Sequence, residues 1–159
     1  NYKKSKSNKW KRENNLNKLF LILLSISLSC GIIKHPDTST SKIELIISLQ
    51  RTACFGTCPI YKIEIYTDGS GIYTGTRFVK NIGISKFQLS KVDVNKILEF
   101  ANRIGFSKMK NEYSEPITDL PTTYITIKNK KIKDYTGAPK ELKKLEELID
   151  QIYLQAVSY

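Results

Sequence analysis

The chain has 159 residues, which is enough for one ordinary domain and too few for two. With 40% hydrophobic and 26% charged residues, its composition is typical of a globular protein and excludes a wholly disordered chain. The formal net charge is +11, but seven cations and one anion precede Cys30, which leaves the rest of the chain at only +5. That modest charge gives no reason to expect a nucleic-acid partner.

Residues 1–30 have the layout of a signal peptide. A polar, basic stretch precedes the apolar run L19-F-L-I-L-L-S-I-S-L28, and Ser29 and Cys30 follow. The apolar run is too short to span a bilayer, which needs about 20 residues. The segment resembles a bacterial lipoprotein signal, in which the cysteine is acylated, for example with palmitate, and becomes the new N-terminus. It departs from that pattern at Ser27, where leucine is usual.

Cys30 is therefore predicted to be lipidated and to hold the protein on a bacterial membrane, facing outside the cytoplasm, in the periplasm or elsewhere in the cell envelope. The membrane, through this lipid, is the first predicted partner. An ordinary secretory signal and a short uncleaved anchor are the alternatives. Residues 31–41 are rich in serine and threonine and lack periodicity, which predicts a flexible tether.

Residues 42–157 are predicted to form a single domain without a cofactor. The only histidine of the chain, His35, lies in the tether, so the domain has no histidine for catalysis or for binding a metal. The domain opens with four predicted strands, at residues 42–51, 60–67, 72–79 and 84–89, because apolar and polar residues alternate there. In the first strand, the residues expected to face the core are Ile43, Leu45, Ile47 and Leu49.

Two helices and a second hairpin complete the predicted domain. Ser90 is a suitable N-cap for an amphipathic helix over residues 91–104, which Gly105 would end. A hairpin is expected from residues 123–136, and a last helix begins after Pro139. The order ββββ-α-ββ-α predicts an α+β fold, with an antiparallel sheet of about six strands and two helices packed on one face.

Three motifs give the domain a family resemblance. They are R51-T-A-C-F-G-T-C-P-I-Y61, then Y66-T-D-G69 leading into Y73-T-G75, and later T118-D-L-P-T122. With them, residues 42–155 resemble domain-of-unknown-function family 6438, a group of small bacterial domains often found on lipoproteins. The resemblance implies this fold and an envelope location. It implies no activity, so no catalytic residue is assigned from it.

Cys54 and Cys58 are predicted to form a structural disulfide. They are the two cysteines that remain if Cys30 carries lipid, and disulfides persist outside the cytoplasm. A three-residue spacer allows the required approach, and Gly56 eases the turn. The alternative is a thiol redox or Cu(I)-handling site, because C-x-x-x-C-P resembles the motif of copper-delivering thioredoxin-like proteins. Zinc would need further ligands.

Aromatic and charged side chains near this pair form a possible recognition surface. Its members are Arg51, Tyr61, Tyr66, Tyr73 and Asp119. An exposed cluster of tyrosines would bind a partner, whereas opposed pairs would be packing. The basic hairpin K128-N-K-K-I-K133 would either contact anionic lipid or keep an exposed strand soluble.

These observations together predict a membrane-tethered, non-enzymatic domain. Its role would be to bind an unknown envelope protein or a small ligand, or to support envelope structure.

Overall fold

The structure, a computed structural model, describes residues 42–158. The predicted signal segment and tether, with Cys30 and His35, lie outside the described residues. Within the described part, no helix is long and apolar enough to cross a membrane. The elements are β1 (Leu45–Arg51), β2 (Ile60–Tyr66), β3 (Ser70–Arg77), β4 (Gly83–Gln88), α1 (Lys91–Arg103), a 3₁₀ helix (Phe106–Lys108), β5 (Glu112–Tyr113), β6 (Thr123–Ile127), β7 (Lys130–Asp134) and α2 (Lys140–Ala156).

The seven strands form one sheet in the order β4-β3-β2-β1-β6-β7-β5. Neighbouring strands are antiparallel, except that β5 runs parallel to β7 at one edge. The predicted α+β class, with two helices, is confirmed. The sheet has seven strands rather than about six and is mixed rather than wholly antiparallel. The added strand, β5, has two residues and lies in a segment expected to be a loop, where so short a strand shows no periodicity.

One face of the sheet is buried under both helices. Leu49 lies opposite Ile63 on β2 and Ile125 on β6, so these side chains share a face, and all three are fully buried. Burying each such side chain contributes about 1.5–3 kcal/mol. From the helices, the core takes Val94, Ile97, Ala101, Leu142, Leu145, Ile149 and Ile152.

The start of the first strand differs from the prediction. Ile43 precedes β1 and is 59% exposed, and Leu45 is 41% exposed, although both were expected to face the core. The pairing of β1 with β2 shifts register between Leu45 and Ile47. Because such an irregularity breaks the two-residue alternation, the inward-facing positions begin only at Ile47.

The helix ends follow the predicted capping residues closely. The Ser90 side chain accepts a hydrogen bond from the Asp93 backbone N–H, so it caps the N-terminus of α1. Just beyond α1, Gly105 adopts a left-handed conformation with φ of 69°, which suits glycine. Pro139 directly precedes α2.

The sheet has two ends, which we name by Lys42, just before β1, and by Arg51, the last residue of β1. At the Lys42 end lie the residues that lead into β1, the β2–β3 turn and the β6–β7 turn; Lys128 N–H donates to the Ile46 carbonyl there. The Arg51 end carries the start of β2 and the end of β7, because Arg51 pairs with Tyr61 and Thr123, and Thr123 pairs with Asp134. Helix α2 covers the Arg51 end, where its Asp150 meets Arg51.

Candidate functional site

A row of polar side chains crosses the helix-covered face at the Arg51 end. Tyr61, Arg51, Thr123 and Asp134 lie in register on β2, β1, β6 and β7. Arg51 continues the inward-facing positions of Ile47 and Leu49, since every second residue of a strand points the same way. The buried face of the sheet therefore changes from apolar to polar in its last row.

Helix α2 presents a matching polar stripe to this row. Lys143, Glu146 and Asp150 follow at i, i+3 and i+7, so they lie on one side of the helix. Glu146 is almost fully buried, at a position between the buried Leu145 and Ile149. The stripe and the row together make a polar layer between the sheet and the helix.

Arg51 is the centre of the layer. Its Nη2 donates to Asp150 Oδ2 at 2.6 Å, and its Nε donates to the Tyr61 hydroxyl at 2.8 Å. Its Nη1 donates to Thr123 Oγ1 at 3.1 Å and lies 3.6 Å from Glu146 Oε2. Tyr61 in turn donates to Asp150 Oδ1 at 2.6 Å. Asp150 thus accepts a hydrogen bond on each carboxylate oxygen, and the guanidinium is fixed on three sides.

These contacts hold Arg51 charged and Tyr61 neutral. Burial works to lower the pKa of Arg51, but the charge and hydrogen bonds of Asp150, with Tyr61, raise it overall. Burial raises the pKa of Tyr61 well above its usual range, and its hydrogen bond to Asp150 adds to the rise. Tyr61 therefore remains a phenol at neutral pH and is not a general base or a nucleophile there.

Glu146 and Asp134 form a buried pair of acids beside this centre. Lys143 Nζ lies 2.5 Å from Asp134 Oδ2 in an ion pair. Within the described residues, no well-aligned donor reaches Glu146 Oε1 or either oxygen of Asp134. Two adjacent buried carboxyl groups satisfy this geometry by sharing a proton, so we take Glu146 to be protonated and to donate to Asp134.

The pKa of Glu146 agrees with that assignment. The pKa of Glu146 is raised from the ordinary 4.5 to about 8, chiefly by burial; the neighbouring Asp134 adds to the rise, and Lys143 and Arg51 oppose it. With Glu146 neutral, the charges of the polar layer balance, because Arg51 forms an ion pair with Asp150 and Lys143 forms one with Asp134. An ionised Glu146 would leave one buried negative charge without its own cation.

A cavity of about 610 Å³ opens beside the polar layer, between the start of β2, the β3–β4 connection and the end of α2. The Tyr61 and Asp150 side chains lie at its inner wall. Its rim is apolar at Phe78, Leu154 and Val157, all of which are exposed. Polar groups come from Lys80, Asn81 and Ser158. This size and mixture are typical of small-molecule sites.

Stacked tyrosines form the wall between the cavity and the core. The rings of Tyr73 and Tyr153 stack with centroids 4.7 Å apart, and Tyr61 stacks on the other side of Tyr73 at 5.8 Å. Gly75, opposite Tyr61 on β3, leaves space for the β3–β4 connection, because a Cβ there would lie 1.9 Å from the Asn81 carbonyl oxygen. Glycine at this position therefore lets the connection close over the strand and shape the cavity.

Cys54 and Cys58 form a disulfide in the β1–β2 connection, with their Cα atoms 5.8 Å apart. The connection is held to the loop before β6: Thr52 N–H donates to the Thr122 carbonyl, and Phe55 N–H donates to the Asp119 carbonyl. A strand, β2, follows the pair, so the chain supplies no helix N-terminus directly after these cysteines of the kind that stabilises a thiolate. In residues 42–158, no three His, Cys, Asp or Glu side chains are grouped to hold a metal ion.

The predicted recognition residues divide into two groups. Tyr61 and Tyr73 line the cavity and stack on each other, and Arg51 is joined to them through its hydrogen bond to the Tyr61 hydroxyl. Tyr66 lies at the other end of β2, and Asp119 lies in the loop beside the disulfide, so neither belongs to the cavity. The five residues do not form one surface.

Several residues of the site were not predicted from the sequence, namely Thr123, Asp134, Lys143, Glu146, Asp150 and Tyr153. Glu146 carried a usable signal, because a glutamate four residues after Leu142 and three before Ile149 falls within the apolar stripe of the helix. The alternation of β6 and β7 likewise places Thr123 and Asp134 on the core face.

The fold and the site define a small α+β domain with a disulfide near one end of its sheet and an open cavity beside it. The chain belongs to the family described as Domain of unknown function (DUF6438), whose profile matches residues 45–153. The search of curated proteins found no match. The search of solved structures also found none.

Proposed function

We propose that this protein is a lipid-anchored, non-enzymatic binding domain of the bacterial cell envelope, and that its ligand occupies the cavity at the Arg51 end. The single observation that carries the binding role is the cavity itself. It combines an apolar rim with several polar groups and is backed by a rigid, charge-balanced layer. Binding sites are usually preformed in this way.

The non-enzymatic role is supported by how the polar groups are used. Each carboxylate oxygen of Asp150 already accepts a hydrogen bond, one from Arg51 and the other from Tyr61. Burial raises the pKa of Tyr73 and of Tyr153 as well as that of Tyr61, so the tyrosine hydroxyls at the cavity stay protonated. Such groups orient a ligand through hydrogen bonds; a nucleophile with an adjacent base would need a different arrangement.

The lipid anchor is supported by the sequence. The basic stretch, the short apolar run and Cys30 follow the order of a lipoprotein signal. Two acyl chains hold a protein on a membrane far more firmly than one. A domain anchored in this way, with a disulfide stabilising the loop beside its cavity, suits the oxidising side of the membrane.

An amphipathic dye tests the cavity without knowledge of the natural ligand. Anilinonaphthalene sulfonate has apolar rings that match the rim and an anion that matches Lys80. We expect saturable binding by the wild-type protein. Leu154→Glu should weaken it about tenfold or more, because the dye would then have to approach a carboxylate in the cavity rim. Leu154 is 57% exposed, so the fold should tolerate the change.

The matched control is Val92→Glu. Val92 is also an exposed apolar residue, at 75%, but it lies at the start of α1 and does not line the cavity. This variant should bind the dye as the wild type does. Equal binding by wild type and Leu154→Glu, or equal losses in both variants, would contradict the proposal that the cavity is a binding site.

A further inference from the structure

The Lys42 end of the sheet carries a concentration of positive charge. The 3₁₀ helix and the β6–β7 turn meet there, since Lys130 Nζ donates to the Met109 carbonyl oxygen at 2.7 Å and also to Asn111 Oδ1. Phe106, with neighbouring residues of α1, lines a groove beside this turn. Five lysines lie in or next to these two segments, namely Lys108, Lys110, Lys128, Lys130 and Lys131.

Among the described residues, none of the five lysines forms an ion pair with a carboxylate; Glu44 is paired with Lys42, and Glu112 with Lys133. All of the five except Lys130 are exposed. At the Arg51 end, in contrast, the acids Asp134 and Asp150 are paired with Lys143 and Arg51. The five lysines therefore form a local positive patch at the Lys42 end.

The chain also enters the domain at the basic end. Lys42 lies just before β1, and its carbonyl accepts a hydrogen bond from the Thr67 hydroxyl in the β2–β3 turn. Eleven residues, 31–41, lie between Cys30 and Lys42. Such a segment spans at most about 40 Å when fully extended. Ile43 and Leu45, the exposed apolar residues noted above, lie at the same end, where the Lys128 N–H donates to the Ile46 carbonyl.

We propose that the Lys42 end docks onto anionic phospholipid headgroups of the membrane that holds the anchor, so that the cavity opens away from that membrane. The proposal rests on the lipid anchor of the proposed function. Lysines close to an anionic surface each gain attraction from its negative potential, and the exposed Ile43 and Leu45 supply apolar contacts at the interface. The anchor holds the basic end near the headgroups, so the weak attraction of each lysine acts at high local concentration.

Amine labelling tests the docking on the full-length, lipidated protein. The protein is reconstituted into vesicles of phosphatidylcholine, or of phosphatidylcholine mixed with phosphatidylglycerol, and treated with an amine-acetylating reagent before mass spectrometry. Labelling of Lys108, Lys110 and Lys128 should fall about fivefold in the anionic vesicles, the change that about 1 kcal/mol of attraction per lysine produces. High salt should restore it.

Lysines at the other end are the internal control. Lys80, at the cavity, and Lys140, at the start of α2, should label equally in both kinds of vesicle. Equal labelling of all lysines in the two vesicles would overturn the proposal, and so would a uniform fall at both ends. Protection by soluble heparin without protection by anionic vesicles would also overturn it, and would indicate a polyanion instead.

A charge-matched pair of variants separates docking from anchoring. Lys108→Gln/Lys110→Gln/Lys128→Gln should abolish the protection of Lys131 while the protein still floats with the vesicles. A control with three changes at Lys80, Lys140 and Lys144 to glutamine should retain it. A chain that floats with neither vesicle would overturn the anchor, and with it the docking. A chain that floats with both, without protection, would overturn the docking alone.

Discussion

At the scale of single residues, Arg51 explains how the site is built. It continues the alternation of β1, so its inward orientation was available from the sequence through Ile47 and Leu49. The main partner of Arg51 could not be identified from the sequence, because Asp150 is 99 residues further along the chain. A charged residue on a core face indicates that a partner exists, but only the packing of α2 on the sheet identifies which one.

Glu146 gives a residue-scale prediction about pH. Its pKa is raised from 4.5 to about 8, so between these values the folded protein holds a proton that the unfolded chain has released. The stability that this group provides is therefore fully present below about pH 4.5 and is lost as the pH rises to about 8. One such proton changes the free energy of unfolding by at most about 1.4 kcal/mol per pH unit.

The variant Glu146→Gln should remove this dependence, because glutamine resembles the protonated acid in shape and can donate to Asp134 without titrating. Urea unfolding across pH 5 to 8 should then give a flatter profile than the wild type. The control is Glu147→Gln, which changes an exposed neighbour on the same helix and should keep the wild-type slope. Parallel profiles for wild type and Glu146→Gln would show that Glu146 is not protonated in the fold.

At the scale of elements, sequence patterns correctly predicted the features that depend on neighbouring residues. The hairpin turns, the cap at Ser90 and the apolar stripe of α2 depend on neighbouring residues, and the structure contains them. The missed strand β5 depends instead on a partner about twenty residues away, since Glu112 pairs with Lys133. The exposed start of β1 reflects a register shift against β2, which alternation within one strand does not reveal.

The disulfide is the element whose role is most directly testable. It closes a loop with a sequence separation of 4 between Cys54 and Cys58. Loop entropy for so short a loop gives about 2 kcal/mol of stability. We therefore expect Cys54→Ala/Cys58→Ala to fold, to lose about 2 kcal/mol or less in urea unfolding, and to keep dye binding at the cavity.

Alkylation of thiols before and after mild reduction distinguishes this structural role from redox or copper chemistry. A structural bridge should resist mild reductant, and the reduced protein should not bind copper stoichiometrically. A bridge that opens readily at a high reduction potential, or one that yields a stoichiometric Cu(I) site, would contradict the structural role and support the thiol-based alternative.

At the scale of the whole molecule, the fold separates two surfaces. The cavity and the disulfide lie at the Arg51 end, whereas the described chain enters the domain at the Lys42 end, near five lysines that form no ion pair within residues 42–158. The fold class and the disulfide were predictable because they follow from periodicity and cysteine count. The cavity could not be predicted in this way, since residues from β2, the β3–β4 connection and α2 meet only when the sheet and helix pack.

Substitution of Cys30 tests most directly the proposal that the domain is anchored by lipid. Cells expressing the protein are grown with labelled palmitate, and the protein is followed in membrane and soluble fractions. The wild type and the Cys54→Ala/Cys58→Ala control should both carry the label in the membrane fraction, whereas Cys30→Ala should carry none. Label in Cys30→Ala at the wild-type level, with the protein still in the membrane fraction, would contradict the lipid anchor.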